Sequence, residues 1–151
     1  MRTSLTPQAA AALVPDGATI MIGGFMGVGT PNRMIDALVS RGVRNLTLIA
    51  NDTARPGVGI GKLIGAGAVS RAIVSHIGTN PETQRAMLAG AITVDLVPQG
   101  TLAERVRAGG SGLGGVLTAT GLGTVVAEGK TVVRIGGREF LVEEALRAAV
   151  A

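Results

Sequence analysis

The sequence of 151 residues contains no cysteine, tryptophan or tyrosine, one histidine and two phenylalanines. The lack of cysteine excludes disulfides, cysteine nucleophiles and thiolate metal sites, and it permits a reducing compartment. With His76 as the one histidine, we expect no metal cofactor. A hydrophobic fraction of 46% with 24 glycines favours a core of Ala, Val, Ile and Leu crossed by tight turns, as in α/β folds with parallel strands.

Long apolar runs and clusters of basic residues are also missing. The apolar run at residues 9–14 is too short for the core of a signal peptide or for a membrane span. The net charge of +4 is spread along the chain without interleaved aromatics, so nucleic-acid binding has little support. We therefore expect a cytoplasmic protein that binds neither nucleic acid nor a membrane.

Four short apolar segments are predicted to be buried strands, and helix-length segments separate them. This alternation predicts an α/β fold with an open, mostly parallel sheet and helices on both faces. No repeat or linker divides the chain, so one domain over residues 1–151 is expected. The four segments are residues 18–22, 46–50, 71–75 and 92–97.

Local signals mark the ends of several predicted elements. Thr30 and Pro31 are expected as the cap and first residue of a helix that Gly42 ends, and Asn80 with Pro81 repeats the pattern. The segment from Thr101 to Glu104 has the spacing of a capping box, which predicts a helix to about Gly109. Residues 56–67 are glycine-heavy and predict only a broken helix, and the Gly136–Gly137 pair predicts a C-terminal β-hairpin.

Two glycine-rich stretches resemble nucleotide-binding motifs without matching them. Residues 16–31, DGATIMIGGFMGVGTP, run from a strand into glycines spaced GxxGxG, the reverse of the dinucleotide fingerprint. Residues 110–115 do fit GxGxxG, but they follow a predicted helix where the fingerprint requires a strand. Neither stretch therefore indicates a dinucleotide site.

Polar residues and glycines follow each predicted strand. In a parallel sheet these exits lie on one rim, where open α/β folds bind ligands. Glycine amides and a helix N-terminus at the first exit would suit an anionic or carbonyl ligand. A turn or cap role for Asp52 and Asn80 is equally compatible with the sequence, His76 is expected to be a hydrogen-bonded structural residue, and the Gln99 amide is placed to orient a carboxylate. The exits are residues 23–25, 51–53, 76–80 and 98–100.

The chain resembles the alpha (A) subunit of two-subunit short-chain acyl-CoA transferases, the acetate/acetoacetate type in particular. Residues 16–31 meet the family's first signature, which is Asp or Asn, Gly, two variable residues, three apolar residues, Gly-Gly-Phe, three variable residues and Gly-x-Pro. Further matches are LTLIANDT at 46–53, SHIGTNPET at 75–83, VPQGTLAERVRAGGSGLGG at 97–115 and the EGK before the hairpin. Family subunits continue beyond the point matching Ala151, so the chain is expected to lack a strand-rich C-terminal part.

This resemblance implies an enzyme of short-chain fatty acid metabolism that transfers coenzyme A, as a substrate, between an acyl-CoA and a carboxylic acid. The nucleophilic glutamate would lie in a Ser-Glu-Asn-Gly motif of a partner beta subunit, in a hetero-oligomer expected to be a heterotetramer. None of the glutamates of this chain has that setting, so the chain alone is expected to be inactive. The glutamates are Glu82, Glu104, Glu128, Glu139, Glu143 and Glu144.

The resemblance also assigns site residues. Gln99 is implied to lie near the reacting carboxyl group. The implied CoA-binding residues are Gly24, Phe25, Met26, Gly27, Val28, Gly29 and Thr30. The implied substrate pocket comprises Asn51, Gln99, Gly100, Gly112 and Gly114. The last two belong to the glycine stretch at 110–115, which is implied to line the acyl pocket.

Two alternatives remain open at this point. A sugar-phosphate isomerase-like enzyme of related fold would need an acid/base pair drawn from Asp52, Asp95 and His76. A noncatalytic nucleotide-binding subunit would need none. Activity with and without a partner subunit distinguishes these possibilities.

Overall fold

The computed structural model describes residues 4–151. Their contacts divide the chain into two compact units. The first comprises the residues up to Leu96 together with Ala148–Ala151, and the second is Val97–Arg147. The single-domain interpretation of the sequence stays a prediction.

The first unit contains a four-stranded parallel sheet in the order β1-β2-β3-β4. All four predicted strands are present, with β3 beginning two residues before the predicted segment. The inner strand β2 is buried at four of its five positions, as expected for an apolar strand with neighbours on both sides. The strands are β1 (Thr19–Ile22), β2 (Leu46–Ala50), β3 (Val69–Val74) and β4 (Thr93–Leu96).

Four helices accompany this sheet: α1 (Pro7–Ala12), α2 (Asn32–Arg41), α3 (Gly61–Gly65) and α4 (Pro81–Leu88). Helix α1 has no counterpart among the elements predicted from the sequence. Gly42 ends α2 with a φ of 74°, as predicted. The predicted N-cap of α2 is wrong, because the cap position is Pro31 and makes no side-chain hydrogen bond. The Thr30 hydroxyl instead donates to the Gly27 carbonyl at 2.9 Å, which commits it to the preceding loop.

Aliphatic side chains from the sheet and helices form the core of the first unit. Leu48 of β2 and Val74 of β3 are fully buried, as are Ile35 and Leu38 of α2 and Leu63 of α3. The apolar face of α2 follows the helical spacing in the sequence. This packing fixes the sheet edge where the polar strand exits lie.

The second unit contains α5 (Gln99–Gly110) and an antiparallel sheet of order β5-β7-β6. The predicted hairpin is confirmed as β6 (Val132–Ile135) and β7 (Arg138–Glu144), with positive φ at Gly136 and Gly137. The sequence analysis missed β5 (Gly115–Thr118), which pairs with β7. A Cβ on Gly115 would lie 2.4 Å from the Glu143 carbonyl oxygen. The close approach of β5 to β7 at this point therefore requires glycine.

The predicted capping box is also wrong. Helix α5 begins at Gln99, three residues before the start that a cap at Thr101 predicts, so Thr101 lies inside the helix. Its buried hydroxyl has no hydrogen-bond partner in the described part of the chain. Glu104 pairs with Arg107 at 2.6 Å instead of bonding back to the helix start. The predicted helix end is correct to within one residue.

A buried ion cluster ties α5 to the small sheet of the second unit. Glu143 of β7 is only 2% exposed, and its carboxylate lies 2.5 Å from Lys130 Nζ and 3.6 Å from Arg105 Nη1. Two cations compensate the desolvation of this carboxylate. The lysine of the EGK segment therefore has a structural contact that the sequence pattern did not predict.

Within residues 4–151, no helix combines the length and the apolar composition that crossing a membrane requires.

Candidate functional site

The loop at residues 24–30, called the glycine loop below, folds as a miniature hairpin after β1. Phe25 and Val28 exchange two backbone hydrogen bonds of 2.9 and 2.8 Å. The two residues between them, Met26 and Gly27, have φ angles of 55° and 86°. Positive φ at both central positions is typical of a type I′ turn. Met26 adopts this conformation at a cost of roughly 1–2 kcal/mol, because its Cβ crowds the following carbonyl.

A Cβ would make close contacts at two positions of this loop. A Cβ on Gly24 would lie 2.5 Å from Thr30 Cγ2 and 2.8 Å from the Val28 carbonyl oxygen. A Cβ on Gly27 would lie 2.6 Å from Val58 Cγ1. A larger residue at position 24 would therefore strain the loop itself, and one at position 27 would require the Val58 side chain to move.

Several backbone donors of the loop have no hydrogen-bond partner among the described residues. The amides of Phe25 and Val28 bond within the turn, and the Met26 amide donates to a side chain. Among residues 4–151, the loop's other four amides make no hydrogen bond. Backbone amides clustered in a turn ahead of a helix bind anions and carbonyl oxygens. The four amides belong to Gly24, Gly27, Gly29 and Thr30.

Asp52 follows β2 and connects the first two strand exits. It is 3% exposed. Its Oδ2 accepts hydrogen bonds from the Met26 amide at 2.9 Å and from Asn51 Nδ2 at 3.1 Å, and its Oδ1 accepts one from the Ala54 amide at 2.6 Å. Asp52 therefore has a turn role, because each of its two oxygens accepts a hydrogen bond from a backbone amide. The half-buried Asn51 amide is oriented by the same carboxylate.

Asn80 has the capping role that the sequence left open. It is fully buried, and its side-chain oxygen accepts from the amides of Glu82 and Thr83 at 3.1 and 3.3 Å. Its Nδ2 donates to the Thr53 carbonyl at 2.8 Å. All polar atoms of this side chain are therefore engaged in holding the second and third strand exits together.

The structure gives His76 and Asp95 no shared site. His76 is exposed, and its ring makes no hydrogen bond to the described residues, so the predicted hydrogen-bonded role is wrong. Asp95 pairs with Arg71 at 2.6 Å on the neighbouring strand. Asp52 and His76 are paired by an isolated β-bridge at neighbouring strand exits, but no hydrogen bond joins their side chains within residues 4–151, and both Asp52 oxygens accept from amide groups. The described residues therefore contain no assembled acid/base pair for the isomerase alternative.

The remaining predicted residues lie in the second unit. Gln99 is the exposed first residue of α5, and Gly112 and Gly114 are exposed. Gly100 lines a cavity of about 520 Å³, whereas Gly112 and Gly114 do not line it. The other lining residues are Thr101, Glu104, Arg107, Val116, Leu117, Thr118 and Thr120.

An ion pair lies at the wall of this cavity. A hydrogen bond from Arg107, with its positive charge, lowers the pKa of the Glu104 carboxyl below its ordinary value. Both side chains are exposed. The β5 residues of this wall were missed because the sequence did not predict β5.

No three His, Asp or Glu side chains within residues 4–151 are grouped so that they could hold a metal ion. The parallel sheet and the glycine loop define an α/β unit of the type that places ligands at the carboxyl ends of its strands.

Comparison with known proteins gives the family. Residues 4–151 match the coenzyme A transferase family. The chain is 58% identical over 152 residues to the acetate CoA-transferase subunit alpha of Escherichia coli K12, covering 100% of this chain and 69% of that subunit. It is 55% identical over 136 residues to the acetoacetyl-CoA:acetate/butyrate CoA transferase alpha subunit of Clostridium acetobutylicum, covering 90% and 62%. The chain therefore belongs to the coenzyme A transferase family.

Solved structures agree on the fold. An acyl-CoA transferase from Escherichia coli O157:H7, solved as a thioester complex with CoA, superposes with a TM-score of 0.82 at 25% identity. The match covers 95% of this chain and 32% of that one. Glutaconate CoA-transferase from Acidaminococcus fermentans shares the fold with a TM-score of 0.79 at 18% identity, covering 95% and 53%.

Proposed function

We propose that this chain is the alpha subunit of an acetate/3-oxoacid CoA-transferase. The enzyme moves CoA between a short-chain acyl-CoA, such as acetoacetyl-CoA, and a carboxylic acid, such as acetate. The observation that best supports this is a loop with four free amides. It lies in a chain that aligns over 100% of its own length with an acetate CoA-transferase alpha subunit. The proposed complex is a cytoplasmic heterotetramer with a beta subunit.

In the proposed reaction a glutamate of the beta subunit supplies the nucleophile. Its carboxylate oxygen attacks the thioester carbon, the C–S bond breaks, and CoA leaves as a thiolate from an acyl-glutamyl anhydride. The thiolate then attacks the glutamyl carbonyl and releases the first carboxylate. The acceptor acid repeats the two steps in reverse order. CoA is thus conserved throughout, and no water or redox partner is consumed.

The residues of this chain would bind and orient the reactants. The glycine loop is proposed to hold CoA through its free amides, since these donors are already fixed before a ligand arrives. Gln99 is proposed to donate to the reacting carboxyl group from the start of α5. A preorganised donor at a developing oxyanion contributes about 3 kcal/mol to the barrier reduction. Asn51 of the first unit and Gly100, Gly112 and Gly114 of the second are each proposed to contact the substrate.

A transfer assay tests the proposal. Acetoacetyl-CoA and acetate are incubated with the purified chain, with the cognate beta subunit, and with both, and acetyl-CoA is quantified. We expect product only when both subunits are present. Turnover by this chain alone, or no turnover by the complex with any short-chain acid, would contradict the proposal.

A further inference from the structure

We propose that Asp52 is a positioning residue, which holds the turn of the glycine loop and the side-chain amide of Asn51 in one fixed arrangement. The effect expected on CoA binding rests on the proposed function of the loop. The structural part of the inference rests only on contacts within the first unit.

Three donors converge on the Asp52 carboxylate, one from the glycine loop and two from residues within two positions of Asp52. They are the Met26 amide of the loop, the Asn51 side chain and the Ala54 amide, at 2.9, 3.1 and 2.6 Å. The carboxylate is 3% exposed and forms no ion pair within residues 4–151. A buried carboxylate without a cation depends on its hydrogen-bond donors for stabilisation. Because the acceptor is charged, these hydrogen bonds are stronger than bonds between neutral groups.

Asparagine cannot reproduce this arrangement. Both carboxylate oxygens accept a backbone N–H, Oδ2 from Met26 and Oδ1 from Ala54. An asparagine offers one acceptor and one NH₂ group, and the NH₂ group would face an N–H donor in either orientation. Asp52→Asn therefore removes one of the two backbone contacts while it preserves shape.

The two backbone donors share an unusual conformation. Met26 and Ala54 both have a φ of 55°, and within the described residues Asn45 is the one other non-glycine residue with positive φ. The left-handed conformation is unfavourable for residues with a Cβ, and it persists only where surrounding contacts enforce it. The same carboxylate accepts from both strained residues, so it is placed to enforce both conformations.

Thr79 of the third strand exit reinforces the arrangement. Its hydroxyl donates to the Ala54 carbonyl at 2.9 Å and lies 3.3 Å from Met26 Sδ. Three strand exits are therefore connected around Asp52. The free amides of the glycine loop are part of the turn that Asp52 holds, so their spacing depends on a residue that is not itself required to touch the ligand.

The test compares Asp52→Asn with Asp16→Asn in the complex of this chain with its beta subunit. Asp16 also accepts a backbone N–H, from Arg44 at 3.1 Å, but it lies outside the site. Three quantities are measured for each variant: hydrogen exchange of the Met26 and Ala54 amides, KM for acyl-CoA against kcat, and the melting temperature.

We expect Asp52→Asn to speed exchange at one or both amides and to raise KM for acyl-CoA about tenfold or more, as for a lost charge-assisted hydrogen bond. Asp16→Asn should change neither. Unchanged exchange in Asp52→Asn, or a lowered melting temperature with unchanged KM in the folded fraction, would overturn the inference.

If Asp52→Asn does not fold, the double variant with Ala54→Gly is measured instead, because glycine removes the strain at that position. The double variant should fold and still show the raised KM, and a normal KM would overturn the inference. A wild-type complex without transferase activity would contradict the proposed function alone, since amide exchange still reports on positioning.

Discussion

Gly27→Ala is the substitution that most specifically perturbs the glycine loop. The new Cβ would occupy a residue with a φ of 86° and would lie 2.6 Å from Val58 Cγ1. The left-handed conformation costs roughly 1–2 kcal/mol for a residue with a Cβ. Carbon atoms normally approach to about 3.5–4.0 Å, so Val58 must also move.

The energy needed to move Val58 is small because this side chain is partly exposed. This side chain is 44% exposed and can rotate away, at a cost of about 0.5–1.5 kcal/mol if it leaves its preferred rotamer. Together the two contributions lower the free energy of unfolding by about 1.5–3.5 kcal/mol. If the loop moves instead of Val58, part of this energy appears as weaker CoA binding, which we expect to fall about tenfold.

Urea unfolding and isothermal titration with CoA measure the two effects. Gly17→Ala is the matched control, since Gly17 has a φ of 77° and a Cβ there would meet nothing within 4 Å. It should lose about 1–2 kcal/mol of stability without a change in CoA affinity. Adding Val58→Ala to Gly27→Ala should restore part of the lost affinity. Wild-type CoA affinity in Gly27→Ala, or an equal loss of affinity in Gly17→Ala, would refute the reasoning.

Three further predictions concern the second unit. Gln99→Ala should lower kcat of the complex roughly 100-fold with little change in KM; a lowered melting temperature with unchanged kcat would instead indicate a structural role. Lys130→Met should lower the free energy of unfolding by about 3 kcal/mol, because it leaves Glu143 buried with one distant cation; denaturant unfolding checks this, and a loss below about 0.5 kcal/mol would contradict it. Arg107→Gln should raise the pKa of Glu104 towards its ordinary value in a carboxyl NMR titration. Because the native pKa of Glu104 is lowered, its small contribution to stability is present above the unfolded-state pKa and disappears as pH falls through the native pKa.

The parallel sheet was predictable because its strands are short apolar runs with turn residues at their ends. The strand exits could be assigned to one rim because parallel strands share their direction. Helix starts were less predictable. Thr30 and Thr101 have side chains that commonly cap helices, but the caps of α2 and α5 are Pro31 and Pro98. Strand β5 was missed because a run that begins with Gly115 and follows several glycines has little strand character in isolation.

The glycine loop could be located from the sequence, whereas the hydrogen bonds to Asp52 that hold it could not. Neither Met26 nor Ala54 is of a residue type that signals positive φ, so the hydrogen bonds that Asp52 accepts could not be predicted. For Asn80 the sequence allowed two roles, because an Asn before Pro is compatible with a helix cap and with a ligand contact. Only the three-dimensional positions of the Glu82 and Thr83 amides distinguished them.

In the proposed reaction the covalent intermediate forms on the partner subunit and not on this chain. The complex is incubated with acetoacetyl-CoA in the absence of an acceptor acid, and the intact masses of both subunits are measured after rapid quenching. We expect a CoA thioester adduct on the beta subunit and an unchanged mass for this chain. An adduct on one of this chain's own glutamates would contradict the proposed reaction.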